Sequence, residues 1–270
     1  MRQSKHPFSA LNRSAGEIKR YRVYHRVIPV AIGLIAALLA VIYVISLFFE
    51  KYGSFTVSIK GYGDRSYALA LSENPNFTTY TSRLNSKAAK DVTNIDGNSL
   101  PDNLNDVNGE HNGSDYIAYT FYMKNTGESV CDYSYRLVIS RMTAGIDAAV
   151  RVRLYYNPVF YKAATGKFNY DGSYVDYAKP KTGGNGSPEI DPENRVMTNF
   201  TSVNTVVESQ TNNFAPGDIC KITVVIWIEG NDPDCTDDCL GGEFKVDMIM
   251  DVLGGNDGNP ATNHSSAGQE

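Results

Sequence analysis

CKITVVIWIEG (residues 220–230) and EFKVDMIMDVL (residues 243–253) decide how the bulk of this chain folds. In the first, Ile222, Val224, Ile226 and Ile228 recur at every second position; in the second, Phe244, Val246, Met248, Met250 and Val252 do the same. Side chains alternate between the two faces of a strand, so each stretch predicts a β-strand with one core-facing row. Trp227 falls on the face opposite Ile226 and Ile228, which calls for a covering loop or a partner over the indole.

Working outward, the same period recurs upstream. Phe55, Val57 and Ile59 alternate with polar residues, and Tyr67, Leu69 and Leu71 recur at the same spacing after a GYGD turn. Ile117, Tyr119, Phe121 and Met123 form one row, and Tyr133, Tyr135, Leu137 and Ile139 another. Val150, Val152, Leu154 and Tyr156 form a third, which points Arg151 and Arg153 toward water. Turn chemistry separates these runs in NTGES, ATGK, NYDGS, TGGNGSPE and FAPGD. Only short stretches such as AGIDAA read as helical. Many short strands without a long amphipathic crossover helix predict an all-β fold over residues 50–253, an antiparallel β-sandwich of jelly-roll-like form. Residues 254–270 have little apolar surface to bury and predict a disordered tail.

The N-terminal part has a different character. Residues 27–49, VIPVAIGLIAALLAVIYVISLFF, form an uncharged run long enough to cross about 30 Å of hydrocarbon as a transmembrane helix. The first 26 residues carry seven Lys and Arg against one acid, a balance of +6, which leaves −11 on the rest of a chain whose total is −5. This asymmetry predicts a cytoplasmic N-terminus, a signal anchor in the cell membrane and an extracellular main domain. A cleaved signal peptide is the competing reading, although its apolar region is usually about 7–15 residues and LFFEKY offers no small-residue cleavage site. The acidic bulk disfavours nucleic acid as a partner.

Four cysteines in an exported domain can pair in three ways. Cys131 is in phase with Tyr133 and Leu137, and Cys220 with Ile222 and Val224, so both should begin strands on inward faces. Pairing of Cys131 with Cys220 and of Cys235 with Cys239 is the expected framework, with four free thiols as the alternative. A zinc site at Cys235 and Cys239 would need two more ligands, and the only histidines beyond the apolar run are His111 and His264.

No HExxH, G-x-S-x-G or phosphate-binding glycine loop is present, and His111 lies in a polar loop, so no catalytic residue and no cofactor are expected. Glu229, Asp232, Asp234, Asp237 and Asp238 form an acidic loop that could hold calcium, with solvated acids as the plainer reading. A second acidic loop gathers Asp102, Asp106, Glu110 and Asp115 without EF-hand spacing. Aromatics crowd residues 155–177, where Tyr161, Tyr170 and Tyr174 are candidates for an interface or for sugar stacking. Phe55, Val57 and Ile59 follow the apolar run directly and are candidates for an edge strand that adds to another sheet. The sequons at Asn76, Asn112, Asn199 and Asn263 matter only in a eukaryotic source.

SYALALSENPNF, NGSDYIAYTFYMKNTGE, GIDAAVRVRLYYN and VVIWIEGNDPDCTDDCLGGEFKVDM together resemble membrane-anchored surface proteins of Gram-positive bacteria. The outer domain is similar to the camelysin and TasA type of matrix protein over most of residues 54–252. The resemblance implies a jelly-roll-like sandwich, export, and in some members extracellular fibres. Cys239 stands where the pattern has an apolar residue, and the metalloprotease activity once attached to camelysins finds no zinc motif here. The resulting expectation is a non-enzymatic structural or adhesive surface protein that associates with itself or with cell-wall and matrix partners. A calcium- or carbohydrate-binding module is the alternative.

Overall fold

A computed structural model describes residues 28–50, 55–60, 68–87, 89, 91–143, 145–181, 186–190 and 195–254. The basic head, Val27, the GYGD turn, Tyr67, residues 255–270 and the sequon at Asn263 lie outside the described residues. The chain divides into two compact units, Met1–Lys51 and Tyr52–Glu270.

The first unit contains the helix α1, Ile28–Glu50, whose side chains are described as far as Val44. Among the described residues no helix is long and apolar enough to cross a membrane.

The second unit is built mainly from strands, in two sheets. One sheet contains β1 (Phe55–Lys60), β3 (Arg83–Asn85), β6 (Cys131–Met142), β11 (Thr205–Phe214) and β13 (Phe244–Gly254), in the order β11-β6-β13-β1-β3. The other contains β2 (Leu69–Ser72), β5 (Tyr116–Asn125), β7 (Val150–Lys162), β9 (Tyr174–Ala178), β10 (Thr198–Asn199) and β12 (Ile219–Ile228), in the order β10-β9-β7-β12-β5-β2. The short β4 (Gly109–Glu110) and β8 (Lys167–Phe168) join β5 and β7. AGIDAA forms only a single 3-10 turn at Ile146–Ala148.

The alternating rows meet between the sheets. Phe55, Val57, Tyr133, Leu137, Val246, Met248 and Met250 from one sheet share a buried cluster with Tyr119, Phe121, Met123, Val152, Ile222, Val224 and Ile226 from the other. Cys131 and Cys220 lie in the same cluster, fully buried, as their phase requires.

Three expectations need correction. The pairing is not wholly antiparallel, because β1 runs parallel to β13 from Phe55 opposite Val246 to Lys60 opposite Asp251, and β10 runs parallel to β9. Nor is β1 a free edge: β13 flanks it on one side and β3 on the other, and Phe55 and Val57 are buried. Arg151 and Arg153 do not face water. They project from the outer side of their sheet but are 1% and 6% exposed, because further chain lies over them.

Leu137 is fully buried opposite Met248. Leu137→Ala should cost about 2–5 kcal/mol in urea unfolding, from lost burial plus the cavity left behind. Glu208→Ala, on an exposed strand position, should stay within about 0.5 kcal/mol.

Candidate functional site

The outer face of the larger sheet carries the polar chemistry of the domain. β12 turns Lys221, Thr223, Val225 and Trp227 outward, and all four are buried. Chain between β3 and β5 covers them: Leu100 and Leu104 pack with Trp227, Val225, Tyr155 and Ala118 in a second apolar cluster. Trp227 therefore has the covering loop that its phase demanded, and it is no interface residue.

Polar groups fasten this cover. The Trp227 indole Nε1 and the Gly97 amide each donate to Glu229 Oε2 at 3.1 Å. A Cβ at Gly97 would stand 3.0 Å from both that oxygen and the Trp227 ring, so only glycine fits without displacing them. Further along, Lys221 donates to the Asn105 carbonyl, and Thr223 Oγ1 donates to Asn105 Oδ1 at 2.9 Å. Burial pushes the Lys221 ammonium below its ordinary range, partly opposed by Asp106. The two ring nitrogens of His111 lie 2.9 Å from the carbonyls of Gly109 and Leu104, so the imidazole is engaged with backbone on both sides.

The acidic loop meets its charges from within. Glu229 is committed to Trp227 and Gly97, and Asp232 forms a buried ion pair with Arg151. Asp232 Oδ1 also accepts from the Asp234 amide at 2.7 Å, while Asp237 and Asp238 are exposed on a 3-10 turn. Among the described residues no group of three or more His, Cys, Asp or Glu side chains gathers to hold a metal. The five candidates for calcium are thus not brought together, because burial at Glu229 and Asp232 demands protein partners first. In the second acidic loop, Glu110 accepts from the Lys87 amide at 3.1 Å and from Asn112 Nδ2 at 2.6 Å. Asp102 and Asp106 are exposed, and a hydrogen bond from Thr93 leads in holding the Asp115 carboxyl below its usual range.

Arg153 is clamped on several sides. Its Nε and Nη2 donate to Asp176 at 2.7 and 2.9 Å, and its guanidinium lies 3.9 Å from the Tyr174 ring centroid and 5.6 Å from Trp227. Burial alone would lower its proton affinity, but the Asp176 carboxylate prevails and holds the charge more firmly. Tyr174 is thereby half-spent on cation–π contact. Beyond it, Phe160 packs against Tyr122, Phe168 and Tyr170 with centroids 5.3, 5.4 and 5.6 Å away. Tyr161 lies half-buried, 4.8 Å from Phe168. Phe168 and Tyr170 remain 49% and 79% exposed with their rings nearly parallel, at 23°.

All four cysteines are free thiols, so neither expected bridge is made. Cys131 and Cys220 are buried, and burial pushes their thiols up to about 11 and about 12. Cys220 sits beside Tyr133 and Tyr156, whose hydroxyls are 2.7 Å apart, and Tyr156 continues to Thr211 Oγ1 at 2.5 Å. Cys235 and Cys239 are half-exposed, with Asn94 Nδ2 3.5 Å from the Cys235 sulfur.

Compared with known protein families, with curated proteins and with solved structures, the chain matches none.

Three outcomes follow from this geometry. Asp232→Ala strands the Arg151 charge and should cost about 3–5 kcal/mol of unfolding free energy, against little for Asp238→Ala. Calcium and chelator should leave the thermal midpoint of the native protein unchanged, since among the described residues no ligand set is gathered by the fold. At pH 8 a thiol reagent should label Cys235 and Cys239 promptly and reach Cys131 and Cys220 only on unfolding, because the thiolate is the reactive form.

Proposed function

We propose that this is a membrane-anchored structural or adhesive protein of the bacterial cell surface. Its outer domain would be a jelly-roll-like sandwich of the camelysin and TasA type. The observation that carries this reading is in the sequence, the uncharged run of residues 27–49 behind a basic head, within which α1 begins at Ile28. Taken by itself, the helix bears apolar side chains on every side, exposed from Ile28 to Val44, and the chain on its N-terminal side is strongly basic. Such a helix needs lipid or protein around its whole circumference, and the flanking charge favours an N-terminus on the cytoplasmic side.

The fold type draws support from connectivity. β5, β6 and β7 alternate between the sheets, as do β11, β12 and β13, in the manner of a rolled sandwich. Glu229, Lys221 and His111 are spent on fastening the cover, which suits a scaffold. Contact with neighbours would then use main-chain groups at a sheet edge.

A second reading, carbohydrate binding, is favoured by the exposed rings of Phe168 and Tyr170. Aromatic faces of this kind stack on sugars.

Tagged full-length protein should sediment with membranes of a Gram-positive host, and protease added to intact cells should remove the β domain. Recovery of intact protein from the cytosol overturns the surface reading. A panel of cell-wall polysaccharides should raise the thermal midpoint only if the second reading holds, and Tyr170→Ala should then abolish the rise.

A further inference from the structure

Three of the four outer strands are short. β3 has three residues and includes Arg83, β10 has two, and β2 has four with Leu71 bridged outward to Thr81. The fourth, β11, has ten residues and pairs only with β6. Its start is covered, since the Val206 carbonyl accepts from the Thr201 amide at 3.1 Å, and its end is closed by Asp132, which accepts from the Asn213 amide at 2.8 Å. Between these points the ladder with β6 is regular from Val207 opposite Leu137 to Thr211 opposite Tyr133. Among the described residues no other strand meets the outward backbone groups of residues 207–212. Native edges are usually blunted by charge, proline or brevity. This one has a single charge, Glu208, and no proline or lysine.

Side-chain chemistry says what fits it. Thr211 faces inward to Tyr156, and Ser209 lies beside Tyr135 on the same side. Glu208, Gln210 and Asn212 are exposed on the other face, with Gln210 Nε2 donating to Asn212 Oδ1 at 2.6 Å. Set antiparallel against itself about Gln210, the strand places Glu208 opposite Asn212, Ser209 opposite Thr211 and Gln210 opposite its own copy. Every pair can hydrogen-bond, and the two Glu208 carboxylates stand four positions apart. Centring on Ser209 instead would bring those carboxylates to diagonal neighbours, where like charges repel.

We propose that a second copy of this chain pairs with β11, antiparallel about a two-fold axis at Gln210, joining two five-stranded sheets into one of ten. This deepens the structural reading above and rests on its assembly half, though not on where the protein resides. Full-length protein in mild detergent should dimerise in sedimentation equilibrium. Q210K and Q210E should each weaken dimerisation about tenfold, because like charges then face each other across the axis, while melting like wild type at dilutions where the wild type is itself monomeric. Mixing the two variants should restore a dimer. A monomeric wild type, or a Q210K protein that dimerises as well as wild type, overturns the proposal. Membrane sedimentation of the monomeric variants keeps a failure of this contact distinct from a failure of the surface reading.

Discussion

The strand β12 is buried on both faces, and the rest of the domain is arranged around that constraint. Its inward row, Cys220, Ile222, Val224 and Ile226, fills the space between the sheets. Its outward row would otherwise expose an indole, a valine and a lysine stem, so a third layer of chain must lie over it. Among the described residues that layer has no regular structure beyond two short 3-10 turns and the two-residue β4, so most of its backbone groups must be satisfied one at a time. Glu229, Lys221 and His111 do so from positions fixed by the sheet or by the layer itself. Arg151 and Arg153 are buried on that same outer side of the sheet, and each then requires a carboxylate within hydrogen-bond reach.

What the sequence reveals and what it hides divide along this layer. Alternation identifies the core rows of β5, β6, β12 and β13, the inward phase of Cys131 and Cys220, and the need for something over Trp227. It says which side of a strand a residue occupies, not what lies beyond that side. For that reason the arginines read as solvated although they are among the most buried charges of the described residues. β11 escapes the same reading because its two rows, Ser209 and Thr211 against Glu208 and Gln210, are polar on both sides. The place of β1 is hidden too, since its parallel neighbour comes from the far end of the chain, and no local pattern encodes that pairing.

Composition misleads more at the acidic loop than anywhere else. Five carboxylates within ten residues suggest a cation, yet two of them balance groups brought in from Gly97, Trp227 and Arg151. Trp227 and Glu229 are two apart on one strand, so their shared side was legible. Glycine at position 97 was the unseen third member, because closeness across 132 residues of chain leaves no trace in spacing.

The parallel register of β1 and β13 bears on mechanics. Phe55 marks where the chain enters the sheet and Gly254 where it leaves, at opposite ends of a lengthwise ladder. Tension drawn between the two termini would slide these strands past one another and strain all their hydrogen bonds at once, instead of peeling them singly. A domain tethered at one pole and hauled at the other would yield in shear, the stiffest way for paired strands to be loaded.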